Sequence, residues 1–69
     1  MNWNQVEGNW KQFKGSVKAK WGQLTDDQFD VIAGKREQLA VKIQETYGLT
    51  QTEAEKQISD WERMHIDRH

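Results

Sequence analysis

Residues 6–28 of this chain recur, in degenerate form, as residues 32–53. Val6, Gly8, Gln12, Phe13, Val17, Trp21 and Gly22 fall on Ile32, Gly34, Gln38, Leu39, Ile43, Tyr47 and Gly48 at a constant offset of 26. After one deletion, Leu24-Thr25-Asp26-Asp27-Gln28 aligns with Leu49-Thr50-Gln51-Thr52-Glu53. A unit repeated within a 69-residue chain predicts two similar supersecondary elements, each too small to bury its apolar face alone. The repeated positions are apolar stripe, glycine and turn. They specify an architecture and carry no chemistry.

The stripe has a helical period. Trp3, Val6, Trp10, Phe13, Val17, Trp21 and Leu24 are spaced three or four apart, with no strand alternation. At 100° per residue they fall within about 80° of arc, the narrow buried face of an amphipathic helix. The second copy places Phe29, Ile32, Leu39, Ile43 and Tyr47 likewise, with Arg36 where Trp10 stood; Ala54, Ile58, Trp61 and His65 continue the spacing in a third segment. The junctions are marked by local chemistry. Gly22 and Gly48 each follow an aromatic residue and suit the left-handed position that ends a helix. Thr25-Asp26-Asp27-Gln28 and Thr50-Gln51-Thr52-Glu53 both have capping-box spacing, with the threonines as N-caps. Gly34 and the interrupted stripe at Arg36 predict a break around Ala33–Lys35, since glycine inside a helix costs about 1 kcal/mol relative to alanine. The expected fold is therefore all-α: one domain over 1–69, a small bundle of two αα-hairpins. Its four helices lie near 3–21, 26–33, 35–47 and 51–65. Three longer helices, with residues 26–47 continuous, are the alternative.

Composition limits what such a bundle can do. Of 24 apolar residues only 11 are Val, Leu or Ile, so four Trp, two Phe and one Tyr must supply much of the buried area. With 30% charged residues and a mean hydropathy of −1.05, a thin core and modest stability are expected. The absence of cysteine excludes disulfides and thiolate metal sites. No apolar run approaches a membrane span, and a cytoplasmic, monomeric protein is expected. The net charge of −1 gives the molecule as a whole no reason to seek nucleic acid. Locally the charge is uneven: residues 1–22 carry +3 and residues 23–34 carry −3.

Three features invite a functional reading. Lys11, Lys14 and Lys18 form a row on the first helix beside Trp3 and Trp10, the ingredients of single-strand nucleic-acid binding. Against it stand the small number of lysines and the acids that follow at once. A solvated flank with rings turned into the core accounts for the same residues. Gly8, Gly15 and Gly22 lie opposite the apolar stripe and lack the apolar flanks of a second packing face. His65 and His69 have metal-ligand spacing, but Asp67 is the only carboxylate close by in a terminal segment, and His65 continues the Trp61 stripe. No catalytic, cofactor-binding or metal-binding residue is assigned, and no cofactor is expected. Paired acids such as Asp26 and Asp30 fit helix-start electrostatics better than acid–base catalysis.

The run Trp10-Lys11-Gln12, Lys14-Gly15, Val17-Lys18, Trp21-Gly22, Leu24-Thr25-Asp26-Asp27 resembles the CsbD-like family of small bacterial stress proteins. Ile32, Gly34-Lys35-Arg36, Leu39, Tyr47-Gly48-Leu49-Thr50 and Glu53-Ala54-Glu55 extend the resemblance over roughly residues 4–61. Ala33 and Ala40-Val41 depart from it, standing where polar or glycine-containing versions of the pattern are expected. The resemblance implies an all-helical cytosolic protein made under general stress control. It brings no catalytic residues with it. The expected function is accordingly non-enzymatic and protective or protein-interacting, with Trp3, Trp10, Lys11, Lys14 and Lys18 as the candidate interaction face. The alternative is weak nucleic-acid binding through the Lys/Trp side of the first helix.

Overall fold

The computed structural model describes residues 3–65. These form five helices: α1 (Trp3–Gly8), α2 (Trp10–Lys20), α3 (Asp26–Ile32), α4 (Arg36–Tyr47) and α5 (Gln51–His65). The expected four-helix arrangement of two αα-hairpins thus gives way to five helices in which α4 packs on both α3 and α5, while α1 lies against α2. The extra helix comes from a break within residues 3–21. Asn9 leaves the helical region at φ −119° and ψ 36°, and its N–H is shared between the carbonyls of Gln5 (3.0 Å) and Val6 (3.2 Å). A one-residue interruption barely disturbs the apolar phase, so the stripe runs on across it.

The break between α3 and α4 rules out a continuous helix over residues 26–47. Ala33 (φ 48°) and Gly34 (φ 81°) are both left-handed, and Lys35 N–H closes the turn on the Ile32 carbonyl at 2.8 Å. Gly34 is buried because α1 crosses directly over it. A Cβ built there would lie 2.6 Å from Glu7 Cα. Glycine is required here twice, by its φ and by this close approach.

At the two predicted helix ends the repeat diverges. Gly48 is left-handed (φ 67°) and Leu49 N–H returns to the Gln44 carbonyl at 3.2 Å, the wrapped end of a Schellman-type cap. Gly22 is not left-handed, which corrects the expectation drawn from the repeat. Helix α2 instead ends at Trp21, held at φ −119°, and a tight turn closes by Leu24 N–H on the Trp21 carbonyl at 3.2 Å. The Trp21 side chain decides this. It is 1% exposed, and its indole N–H donates to Gln57 Oε1 at 2.9 Å, so the ring is fixed against α5 before Gly22 is reached. Both capping boxes form, with Thr25 and Gln28 bonded reciprocally at 2.8 and 3.2 Å and Thr50 and Glu53 at 3.0 and 3.2 Å.

Among the described residues every buried side chain is apolar. Val6/Ile32 and Val17/Ile43 are repeat pairs buried on both sides. Phe13 and Tyr47, expected in the core, are only half-buried at its edge, opposite the fully buried Leu39 and Trp21 of the other copy. The half-wet position suits Tyr47, whose hydroxyl accepts the N–H of Gln23 at 3.1 Å and ties the two copies together.

Candidate functional site

Helix α2 presents the lysine row, and helix α3 answers it. Two of the three acids of α3, Asp26 and Asp30, meet lysines of α2 across the 21–25 turn. Lys14 Nζ lies 3.6 Å from Asp30 Oδ1, and Lys18 Nζ lies 3.2 Å from Asp26 Oδ1. Both pairs are largely exposed, so each contributes little to stability, about 0.2–1 kcal/mol. Their effect is on the surface potential: two of the four lysines of residues 1–22 are offset by two of the three acids of residues 23–34. Lys11 is exposed, and Lys20 lies over the Trp21 ring at 5.6 Å.

The tryptophans turn inward. Trp3 and Trp10 are half-buried and packed on the core, and Trp21 is buried within it. Trp3 reaches across to α5 and meets Trp61 at 5.5 Å between ring centroids. Phe13 contacts Trp61 edge-on at 6.0 Å, and His65 stacks on it at 4.9 Å. The five candidate residues therefore do not form one face: Lys11 is exposed and Trp10 packs on the core. Lys14 and Lys18 face α3, whereas Trp3 joins an aromatic cluster on α5. The open rings that a base-stacking surface requires are not found at these positions.

His65 is engaged with Trp61, and His69 lies outside the described residues. Among the described residues no group of three or more His, Asp or Glu side chains is placed to hold a metal ion. No described helix is long and apolar enough to cross a membrane.

Sequence reasoning missed one polar junction. Arg36 donates from Nε to Glu62 at 2.9 Å and from Nη1 to Glu55 at 3.4 Å, joining the start of α4 to two positions of α5 about two turns apart. The signal was present in two places. Arg36 breaks the apolar repeat, and Glu55 and Glu62 lie seven apart, on one side of α5. Beside this junction runs a shallow groove bordered by Trp3, Ala40, Val41 and Gln44. Val41, 45% exposed, and Met64, 67% exposed on α5, are among the few large apolar side chains left in solvent.

The sequence of this chain has similar counterparts in bacteria. The profile of the CsbD-like family matches residues 4–56. The chain belongs to the CsbD-like family. It is 58% identical over 62 residues to the UPF0337 protein YjbJ of Escherichia coli strain K12, covering 90% of each chain. It is 61% identical over 61 residues to the UPF0337 protein RPA4217 of Rhodopseudomonas palustris, covering 88% of this chain and 92% of that one. A relative from Pectobacterium atrosepticum, the UPF0337 protein ECA0631, is 55% identical over 65 residues, with 94% of each covered. CsbD-like proteins are small bacterial proteins of the general stress response. The family match takes in α1 from its second residue, α2 to α4 and the first turns of α5. Trp61 and His65 lie beyond it.

Proposed function

We propose that this CsbD-like protein is a non-enzymatic component of the cytoplasmic stress response that acts as a folded unit, protecting other proteins through its surface. The observation that carries this reading is the division between core and surface. Every buried described side chain is apolar, and the charged groups are spent on the surface in pairs such as Lys14–Asp30, Lys18–Asp26 and Arg36–Glu62. Acid–base or nucleophilic chemistry needs polar groups converging in a water-poor cleft. The polar groups here are dispersed over short helices. A solvated, charge-balanced exterior around a small core suits a protein that must stay soluble at high abundance beside partly unfolded neighbours.

The test is preservation of a labile enzyme through drying and rehydration. The protein is expected to retain more enzyme activity than an equal mass of an ordinary small globular protein. A Leu39→Asp variant, which places a charge at a fully buried position, is expected to unfold and lose the advantage. Equal retention by the protein and the globular control overturns the protective reading. Full retention by the unfolded variant overturns the requirement for a folded unit.

A further inference from the structure

The four indole N–H groups divide in a way the helix pattern does not anticipate. That of Trp21 donates to Gln57. Those of Trp3, Trp10 and Trp61 are buried and find no acceptor among the described residues. A buried donor without a partner forfeits its hydration and raises the free energy of the closed state. Two of the three, Trp3 and Trp61, lie against each other where α1 meets α5. That junction is the least satisfied part of the interior.

Helix α1 is also the element least able to sustain itself. It has six residues, with no acid in its first turn and no base in its last, so nothing offsets its dipole. A helix of this length does not persist in water without tertiary support. Val6, fully buried, and Trp3 seat it on the rest of the molecule. Its connection to α2 is the single residue Asn9, which follows Gly8 at the end of α1, and the bonds at Asn9 are local. The Asn9 side-chain amide donates to the Gln5 carbonyl at 3.0 Å, and the Asn9 carbonyl accepts from Gln12 at 2.9 Å and Phe13 at 3.2 Å. The bonds on the α2 side survive whether or not α1 is docked.

We infer that α1 is a flap that opens at Gly8–Asn9, ahead of the rest of the fold, and uncovers the part of the Trp61 ring that Trp3 covers. Opening returns the indole donors of Trp3 and Trp61 to water, and their renewed hydration offsets part of the cost of exposing apolar surface. Once detached, α1 unfolds, because six residues hold no helix alone. The body, with Trp21 fastened to Gln57 and Gln23 to Tyr47, stays closed.

The four indole N–H resonances of the full-length, isotope-labelled protein read this opening directly by hydrogen–deuterium exchange. Trp3 and Trp61 are expected to exchange at least about tenfold faster than Trp21, as local opening costs less than global unfolding. Two glycine substitutions separate the flap from the whole, since a Cβ at Gly8 or at Gly15 meets nothing within 4 Å. Gly8→Ala strengthens α1 and is expected to slow Trp3 and Trp61 about three- to fivefold. Gly15→Ala strengthens α2 and is expected to slow Trp21 while leaving the exchange of Trp3 and Trp61 unchanged. A single rate for all the indoles overturns the flap, because α1 then leaves only in global unfolding. Equal slowing of Trp3 by Gly8→Ala and Gly15→Ala overturns it as well.

Discussion

Three adjacent or equivalent positions separate backbone conformation from crowding. Gly34 has φ +81°, and its missing Cβ would strike the α1 backbone, 2.6 Å from Glu7 Cα and 3.0 Å from Glu7 N. Gly48 has φ +67° but open space around it. Ala33 takes φ 48° with a Cβ already present, which is the cost a glycine there would remove. In urea unfolding, Gly34→Ala is expected to lose about 2–4 kcal/mol, the left-handed penalty plus displacement of α1. Gly48→Ala is expected to lose only about 1 kcal/mol, and Ala33→Gly to gain up to about 1 kcal/mol. Equal losses at Gly34 and Gly48 would mean that the Glu7 contact is soft. The break at Gly34 was legible from the cost of glycine in a helix. Its second cause was not, because Glu7 lies far away in sequence and no local pattern contains it. Ala33 shows the reverse case. Its departure from the family pattern was visible in the sequence, and the left-handed φ supplies the physical reason that glycine suits the position.

At the scale of the helix, the two capping boxes differ in one atom type and so in their response to acid. Gln28 closes the box of α3 and does not titrate. Glu53 closes that of α5, and its carboxyl is held below its ordinary value of 4.5, first by the Thr50 backbone N–H and then by the Thr50 hydroxyl. A carboxyl whose pKa is lowered on folding stabilises the fold above its unfolded value, and that contribution is lost as pH falls through the folded value. The Thr50–Glu53 box is therefore expected to open below about pH 4.5, where the Thr25–Gln28 box has no carboxyl to lose, so the backbone amide shift of Thr50 is expected to move more with acid than that of Thr25. Glu53→Gln is expected to remove the difference; its persistence would place the acid sensitivity elsewhere. Both boxes were legible because a cap is a contract between residues three apart. The Gly8–Asn9 break was not, since the apolar spacing continues through it. The left-handed end expected at Gly22 failed for a third reason. A tertiary hydrogen bond, Trp21 to Gln57, fixes the residue before it.

Across the whole molecule, the placement of opposite charges decides what the candidate face can bind. The sequence shows a positive block followed by a negative one, and linear order cannot say whether they separate or meet. Folding brings them together at Lys14–Asp30 and Lys18–Asp26, and it turns Trp3 and Trp10 toward the core. The lysines and acids could be named from the sequence, but their pairing could not, because it depends on how α2 and α3 cross. A phosphate backbone approaching the lysine row must displace a carboxylate at Lys14 and another at Lys18, and counterion release there yields little net gain. Titration with a short single-stranded oligonucleotide at low salt is expected to leave the amides of residues 3–22 unshifted. The pair Asp26→Asn and Asp30→Asn frees both lysines and raises the net charge from −1 to +1. That variant is expected to acquire weak binding which fades steeply as salt rises, since electrostatics alone would drive it. Saturable, salt-sensitive shifts in the unmodified protein would instead return the Lys11, Lys14 and Lys18 row to the role of a nucleic-acid surface. An absence of binding in the variant would show that the inward tryptophans, and not the paired acids, are what close this face to nucleic acid.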